Sequence, residues 1–159
     1  DCPLYWISVI YLNFAEAKAE MGSLTQDDLN NSINKLQARA GLPAMTTTPD
    51  ADPANNMGVS NLIWEIRRCR RCELIMDNWY RYWDLIRWHQ LDKLDSTKYP
   101  NTMLGANVSN VPDCEEATKN GYIDASDAQI RTYEAKHYFY PIPTTQLTLN
   151  KNMKQNPGW

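Results

Sequence analysis

From residue 62 to residue 88, apolar side chains recur every three or four positions, which is the spacing of one face of an α-helix. Opposite charges lie one helical turn apart in the same stretch, and each such pair stabilises a helix by ~0.2–0.5 kcal/mol. The apolar stripe consists of Leu62, Ile66, Cys69, Cys72, Met76, Trp79, Trp83 and Ile86. The charge pairs are Glu65 with Arg68, Arg70 with Glu73, Asp77 with Arg81, and Asp84 with Arg87. The pattern predicts that residues 61–91 form the helical centre of the fold.

Residues at the start and in the middle of this stretch mark helix boundaries. Ser60 or Asn61 suits the N-cap, since either side chain can accept a hydrogen bond from a first-turn amide. Asp77-Asn78 is a pair that tolerates turn conformations. We therefore expect a pair of central helices over residues 61–91, rich in aromatic side chains.

Residues 1–43 show the pattern of a helical hairpin. A first helix is expected over residues 3–21, with Pro3 in its first turn and Gly22 after its end. Thr25 and Asp28 resemble a capping box at the start of a second helix, which Gly41 would end. The face of that second helix would be formed by Leu29, Ile33, Leu36 and Ala40. Because the connecting turn is short, the two helices are expected to run antiparallel as a TPR-like αα-hairpin.

The rest of the chain has little periodicity. Residues 44–60 read as a linker, and residues 92–159 as a loop-rich wrap that ends the fold. Within the wrap we expect a short helix near residues 113–120, an extended segment at 130–140, and a short helical turn capped by Thr144 or Thr145. We also expect the tail, residues 138–159, to be bound to the helical core through its aromatic residues and prolines. The predicted fold class is mainly α and irregular, in one domain of residues 1–159.

Length and charge limit the function classes. The net charge of −3 argues against nucleic-acid binding, despite the arginines of the central stretch. The sequence has neither an apolar run of membrane-spanning length nor a secretory signal. The opening DCPLYW enters a helical pattern almost at once, so we expect a fragment of a longer protein.

All six basic residues in the central stretch are arginines: Arg67, Arg68, Arg70, Arg71, Arg81 and Arg87. They alternate with tryptophans and acids, and a guanidinium can stack on a ring or bond a carboxylate where a lysine would not. The alternatives are a solvated charged face and a set of ordered, partly buried ion pairs. We predict that Arg81 and Arg87 are at least partly buried and paired with Asp77, Asp84 or Glu73.

The cysteines do not have the spacing of a metal site. Cys69 and Cys72 form a single C-x-x-C inside a predicted helix, whereas structural zinc takes four ligands in paired spacing. Core packing is therefore preferred over a redox pair or a metal site, and both are expected to be reduced thiols. No cofactor and no metal is expected.

No catalytic motif is present. The sequence lacks Ser/His/Asp spacing, a Gly-rich phosphate loop and HExxH, so no catalytic residue is assigned and the protein is not expected to be an enzyme. Sugar contact needs exposed aromatic rings beside amide or guanidinium donors. Residues of these types in the long loop, which could equally be ordinary loop residues, are Tyr99, Asn101, Asn107 and Tyr122. Trp83 and Trp88 are expected to lie in the core.

Four segments in order resemble the C-terminal part of the SusD/RagB family. They are Leu12-Asn13-Phe14-Ala15-Glu16-Ala17; Leu29-Asn30 through Arg39-Ala40-Gly41-Leu42-Pro43; Arg70-Arg71-Cys72-Glu73-Leu74 with Arg81-Tyr82-Trp83-Asp84-Leu85-Ile86-Arg87-Trp88; and Tyr140-Pro141-Ile142-Pro143 with Gln155-Asn156-Pro157-Gly158-Trp159. The chain departs from the family pattern at Asn78, near the usual glycine, and is one residue longer between Glu73 and Arg81.

The resemblance implies a surface lipoprotein of the Bacteroidetes outer membrane that binds oligosaccharide or polysaccharide. It further implies docking on a SusC-like TonB-dependent transporter and attachment through an N-terminal lipid anchor outside this chain. It transfers no ligand-binding residue, so the ligand site stays open. The alternatives are a TPR-like protein-interaction module without a sugar role and a helical enzyme whose site lies outside these residues.

Overall fold

The computed structural model describes residues 6–77, 79–112, 118–119, 121–124 and 129–159. The fold is mainly α-helical, as the sequence predicts. The chain divides into two compact units, Asp1–Arg81 and Tyr82–Trp159. The prediction that residues 1–159 form one domain, with its internal boundaries, stays a prediction.

The first unit begins with helix α1, Ile7–Glu20. The chain turns at Gly22, whose φ of +66° is a left-handed conformation that suits glycine after a helix end. Helix α2, Gln26–Asn30, then starts with the predicted capping box: Thr25 accepts from the Asp28 amide, and the Asp28 carboxylate accepts from the Thr25 amide. The predicted start of α1 at residue 3 lies outside the described residues.

The prediction of a single second helix is wrong, because the structure has two short helices there. Helix α2 is followed by α3, Ile33–Arg39, with a break at Asn31 and Ser32. The Ser32 hydroxyl donates to the Asp28 carbonyl at 2.6 Å, and the Asn31 side chain donates to the Asp27 carbonyl at 3.0 Å. Such side-chain bonds satisfy backbone groups locally and compete with helix continuation.

The core of the first unit joins α1 and α3 to helix α4, Asn61–Glu73. Leu29, Ile33 and Leu36 are buried as the pattern predicts, whereas Ala40 is exposed. The buried cluster consists of Val9, Leu12, Ala15, Leu29, Ile33, Leu36, Met45, Ile66 and Leu74. The structure thus confirms a helical first unit, while the TPR-like character of its hairpin stays a prediction.

The linker between α3 and α4 is irregular but held to the helices. Met45 is buried, and its backbone amide and carbonyl both bond the Asn34 side chain, at 2.7 and 3.1 Å. Further along, the Trp64 indole donates to Asp52 at 2.9 Å. Ser60 is the N-cap of α4, because its hydroxyl accepts from the Ile63 amide.

The predicted interruption of the central stretch is present. Helix α4 ends at Glu73 and helix α5 spans Tyr80–Arg87. Between them Met76 and Trp79 adopt positive φ values of 65° and 60°. These two left-handed residues reorient the chain, so the second half of the apolar stripe does not continue the first. Met76 is fully exposed, Trp79 is 81 % exposed, and Cys72 is exposed as well.

The second unit contains little regular structure. A 3-10 helix, Leu91–Leu94, follows α5, and a second, Pro100–Met103, leads into strand β1, Leu104–Asn107. Strand β2, Thr118–Lys119, and strand β3, Tyr122–Asp124, complete an antiparallel sheet in the order β1-β3-β2. The sequence did not predict this sheet.

Two local predictions for the second unit need correction. The extended segment predicted over residues 130–140 contains a 3-10 helix, Ala135–Tyr138. Helix α6, Thr144–Leu149, confirms the predicted helical turn, but its N-cap is Pro143 and no threonine side chain caps it. For the short helix predicted near 113–120, residues 113–117 and 120 lie outside the described residues, and Thr118–Lys119 is a strand.

The tail folds back on residues 136–142 through hydrogen bonds. The Gln155 side chain accepts from the Ile142 amide at 2.7 Å and donates to the Ile142 carbonyl at 2.9 Å. Asn156 donates to the Tyr140 carbonyl at 2.6 Å, and the Trp159 indole donates to the Phe139 carbonyl at 2.9 Å. The apolar side chains expected to hold the tail are partly exposed to solvent: Leu149 is 80 % and Trp159 47 % exposed. Hydrogen bonds, more than apolar burial, order this segment.

Candidate functional site

Two arginines of α4 are buried and bonded to α1, but they are not the ones predicted to be buried. Arg67 and Arg70 are 9 % and 4 % exposed. Arg67 bonds Glu16 at 3.2 Å and Glu20 at 2.9 Å, and Arg70 bonds Asn13 at 2.8 Å. These contacts tie α4 to α1.

The prediction that Arg81 and Arg87 are partly buried is wrong, because both are exposed. The predicted pairing of Arg87 with Asp84 is confirmed at 2.9 Å, and the carboxylate is the buried partner. Arg87 lies over the Trp88 ring, which is half-buried. Trp83 is 52 % exposed, so the expectation of a core position is wrong for Trp83.

The two cysteines of the C-x-x-C have different surroundings. Cys69 packs against the core cluster, and burial, with the Glu73 charge beside it, raises the pKa of its thiol to about 11. Cys72 is exposed, which contradicts core packing for that residue. Both are free thiols in the structure. Among the described residues, no group of three or more His, Cys, Asp or Glu side chains could hold a metal ion.

The residues expected to contact sugar lie in or next to the 3-10 helix before β1 and in the small sheet. Asn107 and Tyr122 are cross-strand partners of β1 and β3. Tyr99 is half-buried and accepts a hydrogen bond from Lys93 at 3.0 Å, and Asn101 is exposed in a 3-10 helix. None of the four lines a described cavity, and their role in sugar binding stays a prediction.

A cavity of about 400 Å³ lies in the second unit. Its size is within the range of small-molecule sites, and its wall is mainly aromatic with a few polar groups, as in such sites. The lining residues are Tyr82, Leu91, Leu94, Arg131, Thr132, Tyr133, His137, Phe139, Tyr140, Pro141 and Trp159. Aromatic residues therefore border a space that is also bordered by residues with hydroxyl, imidazole and guanidinium groups.

Asp95 holds one wall of the cavity in place. This carboxylate is 4 % exposed and accepts from the Thr97 hydroxyl, the Thr97 amide and the Tyr133 amide. The Thr97 hydroxyl bond, together with the Tyr133 and Thr97 amides, lowers the pKa of Asp95 to about 2. Three hydrogen bonds also join Ser96 to the Arg131 backbone. Residues 131–133 are thus fixed to the loop after the Leu91–Leu94 3-10 helix.

The cavity wall combines phenol and imidazole hydrogen-bonding groups with the Arg131 guanidinium. Burial, followed by a hydrogen bond with Tyr138, raises the pKa of Tyr133 to about 12. The hydrogen bond to Tyr140 likewise raises the pKa of Tyr82. His137 accepts from the Glu134 amide through Nδ1 at 3.0 Å, which leaves the proton on Nε2. These hydroxyl and imidazole groups supply hydrogen-bonding atoms at the cavity wall.

Sequence reasoning did not identify the cavity. The aromatic residues of the tail were expected to hold it to the core. Three of them, Phe139, Tyr140 and Trp159, line the cavity. The local signal was the density of aromatic residues between positions 133 and 140. The partners at Tyr82 and Leu91 are about fifty residues away in the chain, so no local pattern connects them.

The comparisons with known proteins give one family and solved structures of similar fold. The family model described as the SusD family matches residues 1–159. A structure of selenomethionine BT4246 is 24 % identical with a TM-score of 0.61, over 98 % of this chain and 24 % of that one. A SusD-like protein (BF3747) from Bacteroides fragilis NCTC 9343 is 25 % identical with a TM-score of 0.60, over 96 % and 25 % of the two chains. The chain thus spans about a quarter of the length of these structures. No curated protein matches it.

Proposed function

Because the chain belongs to the SusD family, we propose that it forms the C-terminal part of a nutrient-binding protein of the outer membrane. The whole protein captures an oligosaccharide or polysaccharide and delivers it to a SusC-like TonB-dependent transporter. Its role is binding, without catalysis. The alternative, a TPR-like protein-interaction module, would need no sugar site.

The cavity of the second unit is the observation that supports the sugar role most directly. The apolar face of a pyranose ring packs on aromatic rings, while its hydroxyl groups need donors and acceptors at the edge. Phe139 and Tyr140, which are 55 % and 65 % exposed, supply accessible rings. Tyr133 and His137 supply hydrogen-bonding groups, and Arg131 adds a cationic donor.

We place the protein at the outer membrane through a lipid anchor at its N-terminus. In the part of the chain that the structure describes, no helix is long and apolar enough to cross a membrane. This placement rests on the family, and it is tested by labelling the whole protein with a radioactive fatty acid and by protease access in intact cells.

A glycan array probed with the whole protein tests the function, and cavity variants then test the site. Tyr140→Ala should weaken binding of the best array ligand about tenfold, since one aromatic contact contributes ~0.5–1.5 kcal/mol beyond its area. Leu149→Ala is the matched control, because Leu149 is 80 % exposed and does not line the cavity. Isothermal titration calorimetry would measure both.

Two results would contradict the proposal at different levels. Absence of any array ligand for the whole protein would contradict sugar binding. A ligand bound equally by the wild type and by Tyr140→Ala would leave sugar binding intact and remove the cavity as its site.

A further inference from the structure

Helix α1 is apolar on two sides. Its buried face packs on the core through Val9, Leu12 and Ala15. The opposite side carries a second apolar stripe, formed by Ile7, Ile10, Phe14, Ala17 and Met21. Ile7, Ile10, Phe14 and Met21 are 62, 55, 42 and 77 % exposed. A helix that is apolar on both sides is normally covered on both.

The stripe has the geometry of a helix-packing seam. Its members are spaced three, four, three and four residues apart, which is the heptad spacing at which one helix packs along another. No charged residue belongs to it. Polar side chains flank it instead: Asn13 and Glu20 on one side, Lys18 on the other, each already bonded within the first unit.

The dimensions of the seam define what would fit it. From Ile7 to Met21 it runs ~21 Å at 1.5 Å per residue, about four helical turns. Ala17 is small and permits close approach at one level, while Phe14 projects at the level before it. A complementary helix would place a large apolar side chain opposite Ala17 and a small one opposite Phe14.

The greater length of the similar solved structures indicates where the complementary helix is located. The matched region is 24 and 25 % of the chains of the two solved structures, so most of the polypeptide in proteins of this kind lies outside it. An exposed apolar seam of this length marks an interaction surface. We propose that the seam packs against an amphipathic helix of the same polypeptide, located outside these 159 residues.

The same substitution at two exposed alanines tests the proposal in the whole protein. Ala17→Asp would bury a carboxylate in the seam, and the melting temperature should fall by several degrees. Ala38→Asp is the control: Ala38 is also exposed near a helix end, but it lies between Lys35 and Arg39 on a charged surface, so no comparable fall is expected. Light scattering should show a monomer for both.

Cysteine accessibility gives a second readout if Ala17→Asp fails to fold. Ala17→Cys should be protected from maleimide in the whole protein and Ala38→Cys labelled, as mapped by peptide mass spectrometry. Equal melting temperatures with equal labelling would overturn the proposal. A dimer that Ala17→Asp converts to a monomer would also overturn it, because the seam would then bind a second copy of the protein. An unchanged melting temperature with loss of transporter binding would overturn it as well, because the seam would then bind a separate protein.

Discussion

Replacement of Arg67 should destabilise the first unit strongly, because this guanidinium pairs with a buried carboxylate. Its side chain is 10 % exposed, as against 5 % for Glu16 and 48 % for Glu20. Arg67→Met keeps an unbranched apolar stem but leaves the Glu16 carboxylate without this cation. Removing one partner of a buried pair costs ~3–5 kcal/mol, whereas the half-exposed contact to Glu20 adds at most ~1 kcal/mol. The free energy of unfolding should therefore fall by ~3–5 kcal/mol.

The neighbouring residue provides a matched control. Arg68 pairs with Glu65 one turn away at 2.7 Å, and its side chain is 53 % exposed. The Glu65 side chain is 15 % exposed, so this pair is only half solvated. Because the arginine itself is open to water, Arg68→Met should cost clearly less than Arg67→Met, although it removes the same charge from the same helix. Urea unfolding of the whole protein, followed by tryptophan fluorescence, measures both variants.

The two variants would refute this reasoning if they lost the same free energy of unfolding. A double variant separates charge from packing. Glu16→Leu combined with Arg67→Met replaces the buried pair by apolar side chains, which is often neutral or stabilising. It should recover most of the stability lost by Arg67→Met alone. No recovery would mean that the packing of the arginine stem, not the ion pair, holds α1 to α4.

Three further outcomes follow from the second unit and the cysteines. Maleimide at pH 8 should modify Cys72 much faster than Cys69, as peptide mapping would show, since a pKa of about 11 leaves Cys69 about one part in a thousand thiolate. Asp95→Asn should lower the melting temperature at pH 7. This difference from wild type should shrink as pH falls from about 4 towards 2, because a lowered carboxylate pKa stabilises only above the unfolded value. Gln155→Ala should speed proteolysis of the tail in a gel time course, because it removes both bonds to Ile142; unchanged digestion would contradict that role.

Features that depend on residues within one helical turn of each other were predicted correctly from the sequence. The capping box at Thr25 and Asp28, the cap at Ser60 and the pair of Asp84 with Arg87 all depend on residues at most three positions apart. Their geometry is set by local backbone conformation, so the pattern alone is sufficient to find them.

Burial of particular side chains could not be predicted in the same way. Arg67 and Arg68 are adjacent and chemically identical, and which one is buried depends on the side of α4 that faces α1. Trp83 continues the apolar spacing in the sequence, but Met76 and Trp79 take left-handed conformations before it and change the phase of the stripe. Left-handed backbone at two residues other than glycine has no clear sequence signal.

The small sheet and the cavity were missed because both depend on distant parts of the chain. Strands β1 to β3 are two to four residues long, too short to show alternation. The cavity joins residues from Tyr82 to Trp159. Hydrogen bonds join the loop at Asp95 to the segment at Tyr133, and sequence periodicity does not predict such bonds.

The motifs that carry the family resemblance bond one another in the structure. The segment around Leu12 bonds the arginine segment of α4, and the segment before Gly41 bonds the end of α4. The YPIP segment likewise bonds the QNPG segment. The bonded pairs are Asn13 with Arg70, Arg39 with Glu73, Ile142 with Gln155, and Tyr140 with Asn156.

This pairing separates the residues that build the fold from those that remain for a ligand. An N–H already used within the fold would have to give up that bond to donate to a sugar, and leaving a buried partner unsatisfied would cost ~1–3 kcal/mol. An aromatic ring face can contact a sugar without breaking a hydrogen bond of the fold. Tyr140 shows both roles in one residue: its carbonyl accepts from Asn156, while its ring lines the cavity and is 65 % exposed. Under the proposed function, a glycan at this part of the protein would therefore be recognised by aromatic faces and by the polar groups around the cavity, not by the polar groups of the motifs.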